Sequence, residues 1–266
     1  MYEEFFGMKQ TPFMSSIPTD CLYLSSMLDE TLGRLEFAAE KQLFAIVTAD
    51  VGCGKTTALR RFVSELDTDR YVVLYLADSK LTPRWFYKGL LDQLGIESRF
   101  YRGDAKRQLH QQLEIIRKVQ DRKVITIVDE AHLLAKETLE EIRFLLNYRM
   151  DSMNPMGLIL SGQNELWDKL KLQRYAAIRQ RIDVQSVLNH YDRSQTGAYI
   201  RSHLAYAGVT NEIFTEAAMD EIHQYTAGTA RMIDKVCTSV LLYGSQSHLR
   251  LIDDRTVKLV LECEFS

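Results

Sequence analysis

Short apolar runs separated by helix-length amphipathic segments fill the first two thirds of the chain. Runs rich in β-branched residues predict strands at residues 43–47, 71–77, 124–128, 157–161 and 183–188. Strands that alternate with helices in this way are typical of a parallel sheet with helices on both faces. We therefore predict an α/β domain over residues 1–188, with its ligand at the carboxyl ends of the strands.

The pattern changes near residue 189, after which only helical periodicity remains. It predicts helices at residues 193–207, 215–226, 229–243 and 254–262. The third of these repeats apolar residues at helical spacing, as a helix with one buried stripe does. The turn Ala227-Gly228-Thr229 precedes it, so we expect Thr229 to cap the helix and Arg231 to lie in its first turn. Residues 189–266 are thus predicted to form a small helical lid.

A glycine-containing loop follows the first predicted strand and reads Ala-Asp-Val-Gly-Cys-Gly-Lys-Thr-Thr over residues 49–57. Such a loop turns backbone N–H groups toward a phosphate at a helix N-terminus, and its glycines let the main chain come close. Lys55 would meet the β- and γ-phosphate oxygens, and the Thr56 hydroxyl would meet Mg²⁺. Ala49 stands where the first glycine of the motif is usual, which is tolerable if its φ is negative. The predicted nucleotide-binding residues of the loop are Val51, Gly52, Cys53, Gly54, Lys55, Thr56 and Thr57.

The apolar run at residues 124–128 ends in two acidic residues, Asp129 and Glu130. Asp129 at the strand tip can hold Mg²⁺ through its water shell, and Glu130 can orient or deprotonate an attacking water. Taken alone, the pair also fits an acidic helix cap. With the phosphate loop upstream it indicates the Walker B carboxylates of a Mg²⁺-dependent ATPase, so the predicted cofactors are ATP and Mg²⁺.

Composition bears on the number of domains, on nucleic-acid binding and on the cellular compartment. The 266 residues are 46% hydrophobic, enough for a nucleotide-binding domain plus a small accessory domain. The net charge of −3 gives no global basic field, so any nucleic-acid contact must come from a local patch. The four cysteines fall at no metal-ligand or paired spacing, and the sequence has neither a membrane-length apolar run nor a basic signal-peptide start. We expect a cytoplasmic protein.

Several motifs, in order along the chain, resemble AAA+ ATPases. The phosphate loop, the strand ending Asp-Glu and a lid helix that begins Gly-x-x-Arg are similar to AAA+ ATPases in general. Segments that resemble the ExeA/TniB/TnsC group more narrowly lie at residues 6–13, 23–25, 128–132, 160–166 and 178–182. The resemblance extends from Phe6 to about Val240 and implies a P-loop AAA+ parallel sheet flanked by helices, with a C-terminal helical lid.

That group contains two broad kinds of protein. Members resembling ExeA carry a membrane segment and a cell-wall-binding extension, whereas regulators resembling TnsC, TniB and phage Mu B assemble on target DNA. Since the sequence ends at Ser266 with neither extension, the resemblance favours the transposition branch. It implies an ATPase with slow, assembly-coupled hydrolysis that forms a ring or helical filament on duplex DNA and recruits a transposase, possibly with a target-selection protein.

The resemblance also implies roles for residues outside the two acidic positions. Ser161 or Gln163, at the end of the fourth strand, would be the polar sensor of the γ-phosphate; a strand-end turn residue is the alternative for Ser161. Arg231 is similar to a sensor 2 arginine that bridges the lid to the γ-phosphate. Its alternative, an exposed arginine at a helix start, is disfavoured by the helix dipole. Arg179 or Arg181, in a basic stretch over residues 169–181, would act on a neighbouring subunit's nucleotide as an arginine finger.

A DNA-binding surface is predicted after the second strand and before the next helix. Its candidate residues are Lys80, Arg84, Arg102 and Lys106. Repeated in every subunit, these cations would line a path for a phosphate backbone; solvated helix faces are the alternative. Two other functions stay open: an accessory ATPase of secretion or envelope transport without a DNA role, and a nucleotide-gated scaffold that hardly hydrolyses.

Overall fold

A computed structural model of the chain describes residues 2–77, 81–146 and 154–265. The chain divides into two compact units, which we call the α/β unit (residues 27–51 and 55–188) and the helical unit (residues 1–26, 52–54 and 189–266). The division at residue 188 coincides with the predicted one. The structure differs in that the first 26 residues, and three residues of the glycine-containing loop, group with the helical unit.

The sheet of the α/β unit is parallel and five-stranded, in the order β2-β3-β4-β1-β5. Its strands are β1 Phe44–Ala49, β2 Tyr71–Leu76, β3 Lys123–Val128, β4 Gly157–Gly162 and β5 Val184–Leu188. All five predicted strands are confirmed, to within two residues at their ends. Strands β1 and β4 are buried along their whole length, which explains their continuous apolar runs.

Helices connect these strands and form the rest of the fold. Those of the first part of the chain are α1 Tyr2–Phe6, α2 Ser26–Lys41, α3 Lys55–Glu65, α4 Pro83–Gln93, α5 Arg102–Lys118, α6 Lys136–Leu146, α7 Asn164–Lys171 and α8 Ala176–Arg179. The later ones are α9 Arg193–Tyr206, α10 Glu216–Thr226, α11 Ala230–Gln246 and α12 Asp254–Glu264. Apolar side chains of α4, α5 and α6 pack with those of the strands in the core of the α/β unit.

The N-terminal segment belongs to the core of the helical unit for a physical reason. Tyr2, Met8 and Phe13 are buried in the same apolar cluster as residues of α9 to α12. The Phe13 ring stacks on His203 of α9 with centroids 5.3 Å apart. The apolar side chains of this segment therefore complete a core that the sequence predicted for residues 189–266 alone.

Side chains cap the starts of α9, α10 and α12 in this unit. Asp192 forms a capping box with Gln195 at the start of α9, and Thr215 accepts the Ala218 N–H at the start of α10. Thr229 occupies the N-cap position of α11, but its hydroxyl lies 3.0 Å from His190 Nδ1 and makes no bond to the described N–H groups of the helix. The prediction that the Thr229 side chain caps α11 is therefore wrong, because a histidine partner competes for the hydroxyl.

Candidate active site

The strand order brings the predicted catalytic segments to one edge of the sheet. Strand β4 lies between β3 and β1, with Val128 paired to Leu160 and Thr48 paired to Gly162. The carboxyl ends of β1, β3 and β4 are therefore neighbours. Asp129 and the residues after Ser161 emerge side by side from this edge, as the sequence predicted.

The glycine-containing loop after β1 has the backbone conformation that phosphate binding requires. Gly52 and Gly54 have φ values of 83° and 88°, which side-chain-bearing residues rarely adopt. Ala49 ends β1 with a negative φ, which meets the condition for a methyl group there. Lys55 is 8% exposed, and its Nζ lies 3.1 Å from the Ala49 carbonyl oxygen and 3.5 Å from that of Asp50. Both partners that the described residues give this buried ammonium are neutral carbonyls, so it has capacity left for an anion.

The helical unit contains its own contact with this loop. The Arg231 backbone N–H donates to the Gly52 carbonyl oxygen at 3.1 Å, both residues being part of that unit. A Cβ atom on Gly52 would lie 3.0 Å from both Arg231 Cβ and Thr229 Cγ2. Gly52 is thus required by space as well as by φ, while the Arg231 side chain is exposed.

Asp129 is the most firmly held of the predicted residues. It is 3% exposed, and one carboxylate oxygen accepts from the Ser161 hydroxyl at 2.7 Å and from the Glu130 N–H at 2.9 Å. The other oxygen accepts from the Tyr75 hydroxyl at 2.9 Å. Burial, followed by the charge of Asp129 and this hydrogen bond, raises the pKa of Tyr75 to about 12, so Tyr75 stays a donor. Sequence reasoning missed Tyr75, whose position in β2 beside β3 is the only signal that could have found it.

Glu130 differs from its neighbour in both exposure and backbone. Its side chain is 41% exposed, and its φ of 51° places it in the left-handed region. A non-glycine residue in that region is strained, and such residues concentrate at active sites. The carboxylate that was predicted to meet water is thus the accessible one of the pair.

The two candidates for the polar sensor, Ser161 and Gln163, lie in different environments at the end of β4. Ser161 is fully buried and bound to Asp129, whereas Gln163 is half-buried at the start of α7. His132 lies between the two motifs, with Nδ1 3.4 Å from Glu130 Oε2 and 3.5 Å from the Gln163 backbone nitrogen. The sequence reasoning assigned no role to His132.

The predicted arginine fingers lie at the end of α8. Arg179 Nη1 donates to the Lys171 carbonyl oxygen at 2.6 Å and to that of Leu170 at 3.3 Å. It therefore closes the C-terminal end of α7, where a cation complements the helix dipole. Arg181 is half-buried two residues further on.

Two of the predicted DNA-binding residues are engaged within the protein. Glu141 of α6, 8% exposed, lies 3.1 Å from Lys106 Nζ and 3.4 Å from Arg102 Nη1, and it accepts from the Tyr87 hydroxyl at 2.6 Å. Burial opposes ionisation of Glu141, but the hydrogen bonds from Tyr87 and Lys106 outweigh it and lower the pKa of this carboxyl. Arg84 lies over the exposed Phe100 ring at 4.3 Å. Lys80 lies outside the described residues.

Two further observations concern the metal and the membrane. Among residues 2–77, 81–146 and 154–265, no group of three or more His, Cys, Asp or Glu side chains is arranged to hold a metal ion. Asp129 and Thr56 nevertheless suit Mg²⁺, which binds through one or two protein oxygens together with substrate phosphates. No helix in the described part of the chain is long and apolar enough to cross a membrane.

Comparisons with known proteins identify a family and a relative for this chain. Residues 38–170 match the AAA domain family. General secretion pathway protein A of Aeromonas hydrophila is 29% identical over 249 residues, which cover 91% of this chain and 44% of that protein. The chain thus spans less than half the length of this relative.

Several solved structures have a similar fold, among them three that are each below 20% identity. Drosophila ORC bound to DNA gives a TM-score of 0.70 at 17% identity, over 100% of this chain and 65% of that one. Cdc6p from Pyrobaculum aerophilum gives 0.65 at 15% identity, over 94% and 69%. The RuvB Holliday junction branch migration motor of Thermotoga maritima gives 0.56 at 16% identity, over 89% and 68%.

Proposed function

This chain belongs to the AAA domain family, and from that premise we propose that it hydrolyses ATP with Mg²⁺ and uses the nucleotide state to control its own assembly. The observation that carries the proposal is the contrast between two adjacent carboxylates. Asp129 is buried and held by three donors, while Glu130 beside it is accessible. One group can position a metal and the other can take a proton from water.

Each residue of the site has a defined task in this proposal. Lys55 would contact the β- and γ-phosphate oxygens in place of its two carbonyl partners, and the Thr56 hydroxyl and Asp129 would hold Mg²⁺. Bound Mg²⁺ would neutralise charge on the phosphates during transfer. Glu130 orients the attacking water and accepts its proton, with Gln163 as the polar sensor. Ser161 acts indirectly, because its hydroxyl is committed to Asp129.

The remaining assignments concern residues that complete the site. We propose Arg231 as a γ-phosphate ligand and Arg179 or Arg181 as a finger offered to a neighbouring subunit. The Arg231 proposal is supported by its position in the first turn of α11 beside Gly52. The remaining loop residues Val51, Cys53 and Thr57 would contribute backbone N–H groups.

We further propose that the assembly forms on duplex DNA and licenses a transposase in the cytoplasm. Support comes from the ordered motifs that resemble the ExeA/TniB/TnsC group, which includes transposition regulators, and from a fold similar to that of an ORC structure bound to DNA. Arg84 is the best-placed described candidate for phosphate contact, since it is exposed and α4 presents it beside Phe100. Arg102 and Lys106 would contribute less, because Glu141 neutralises part of their charge.

A second candidate function is an accessory ATPase of secretion without a DNA role. It is favoured by the identity of 29% to general secretion pathway protein A over 91% of this chain. The two candidates predict different partners for the same ATPase.

Duplex binding with a non-hydrolysable ATP analogue, compared with ADP, distinguishes them. The transposition proposal expects ATP-dependent, sequence-tolerant binding whose log–log salt slope falls by about 0.9 for each phosphate that the protein no longer neutralises. Arg84→Ala should lower that slope, whereas Lys118→Ala, which removes an exposed lysine paired with Glu114, should not. Wild-type protein that shows no salt-sensitive association with DNA at low ionic strength would favour the secretion function instead.

A further inference from the structure

His132 lies between two residues of the proposed ATPase site. One ring nitrogen, Nδ1, is 3.4 Å from the Glu130 carboxylate and 3.5 Å from the backbone nitrogen of Gln163. The histidine side chain is 7% exposed, so water does not freely replace either neighbour. The Walker B turn and the end of β4 therefore meet at a single atom.

That atom cannot serve both neighbours at once. The Gln163 N–H needs a lone pair on Nδ1, which requires the proton of a neutral ring to be on Nε2. The Glu130 carboxylate needs a donor, which requires a proton on Nδ1. The ring consequently holds either the β4 end or the catalytic carboxylate, and the choice is set by its tautomer.

Neighbouring groups contact the backbone of His132 on both sides of the residue. Lys169 Nζ donates to the His132 carbonyl oxygen at 3.2 Å and to that of Leu134 at 2.5 Å. A Cβ atom on Gly162 would lie 3.1 Å from the His132 backbone nitrogen, which shows how closely β4 approaches the turn. Movement of Gln163 on contact with a ligand would therefore reach His132 directly.

We propose that His132 is a positioning residue that couples the sensor end of β4 to the catalytic carboxylate. When Nδ1 carries the proton, it holds Glu130 in position to orient water; when Nδ1 accepts from the Gln163 N–H, Glu130 is no longer held. This inference rests on the proposed ATPase function. It concerns how that activity is switched on, and it requires no contact between His132 and the phosphates.

Three substitutions test it through turnover. Asn places an amide near the position of Nδ1, Gln reaches toward that of Nε2, and Ala removes both. We expect His132→Gln and His132→Ala to lower kcat by about 10- to 100-fold with little change in KM for ATP, as misplacement of a catalytic group does. His132→Asn should retain most of the activity. His248→Asn, at an exposed histidine, is the matched control.

A second measurement does not depend on hydrolysis. Nitrogen NMR of histidine-labelled, nucleotide-free protein reports the ring tautomer, and the signal that disappears in His132→Asn is that of His132. The amide of Glu130→Gln can donate to Nδ1, so this variant should shift His132 toward the tautomer protonated at Nε2. Equal losses of activity in the Asn and Gln variants, or an unchanged tautomer in Glu130→Gln, would overturn the inference. Failure of the wild-type protein to hydrolyse ATP would overturn the proposed function. The NMR result would then decide whether His132 is coupled to Glu130.

Discussion

The strand-end carboxylates and the helix-borne cations of the α/β unit are held differently by their surroundings. At the sheet edge, Asp129 is fixed by three donors and Glu130 stays accessible. On the helices, Arg102 and Lys106 contact Glu141, and Arg179 closes the end of α7. Both groups have partners within the fold, but the strand-end pair keeps one accessible carboxylate beside a fixed one, whereas Arg102, Lys106 and Arg179 each contact an acceptor of their own chain.

The largest expected effect concerns the proposed arginine fingers. It tests whether Arg179, which already contacts two carbonyl groups of its own chain, or Arg181 also acts on the nucleotide of a neighbouring subunit. Replacing Arg179 and Arg181 together with Ala should leave nucleotide binding intact and lower ATP hydrolysis by about 10³-fold or more if either is a finger. Mixing this protein with Lys55→Ala protein should restore some hydrolysis, because each supplies what the other lacks at one kind of interface.

Controls are essential here, because Arg179 also holds two carbonyl groups. Arg174→Ala, which removes an exposed arginine of the same segment, should leave hydrolysis unchanged. Thermal melting curves must first show that each variant is folded. A folded double variant that no mixture rescues would show that these arginines serve only their own subunit.

The next effect concerns Lys55, the cation with the clearest ligand. Because hydrogen bonds to charged groups contribute about 1.5–3 kcal/mol each, removing the bonds to two phosphates should weaken ATP binding by about 10²- to 10⁴-fold in Lys55→Ala. Titration calorimetry measures the affinity. Lys118→Ala serves as the matched surface control, and unchanged affinity in Lys55→Ala would remove the loop from the nucleotide site.

Glu130→Gln separates the two carboxylates by function. The amide keeps the shape but cannot accept a proton, so turnover should fall by at least about 10²-fold while ATP binding persists. Turnover and binding measured on the same preparation check this result. Asp129→Asn should instead impair the Mg²⁺ dependence of binding, and full hydrolysis in Glu130→Gln would rule Glu130 out as the base.

The smallest expected effect concerns Glu141, the carboxylate that Arg102 and Lys106 both contact. Glu141→Gln removes a charge that Lys106 and Arg102 contact, which should cost about 1–3 kcal/mol of folding free energy and lower the melting temperature by about 2–4 °C per kcal/mol. Glu140→Gln, at a half-buried position paired with Lys136, should change the melting temperature little.

The pH dependence of this difference follows from the lowered pKa of Glu141. A carboxyl whose pKa is lower in the folded state contributes stability above its unfolded value of 4.5, and that stability is lost as the pH falls through the folded value. The gap between wild type and Glu141→Gln should therefore shrink below about pH 4.5. A gap that widens in acid would contradict the assigned ion pairs.

Sequence reasoning succeeded where a feature depends on residues close together in the chain, and it failed where the feature depends on contacts between distant residues. Strand positions, the loop glycines and the Asp129-Glu130 pair depend on local pattern, so they were predictable. Tyr75 and His132 were missed because their roles come from strand order and from a side chain pairing across 31 residues, which periodicity does not encode. Glu141 was missed because a buried carboxylate on α6 looks the same in the sequence as an exposed one.

The left-handed backbone of Glu130 has an evolutionary consequence. Side-chain-bearing residues cost roughly 1–2 kcal/mol in this conformation, which Gly and Asn accept more readily. Replacing Glu130 by either residue should therefore stabilise the protein while removing the proposed catalytic carboxylate. A lineage released from selection for turnover would drift toward such residues without losing its fold, so hydrolysis-dead descendants that still bind ATP are an accessible fate for this architecture.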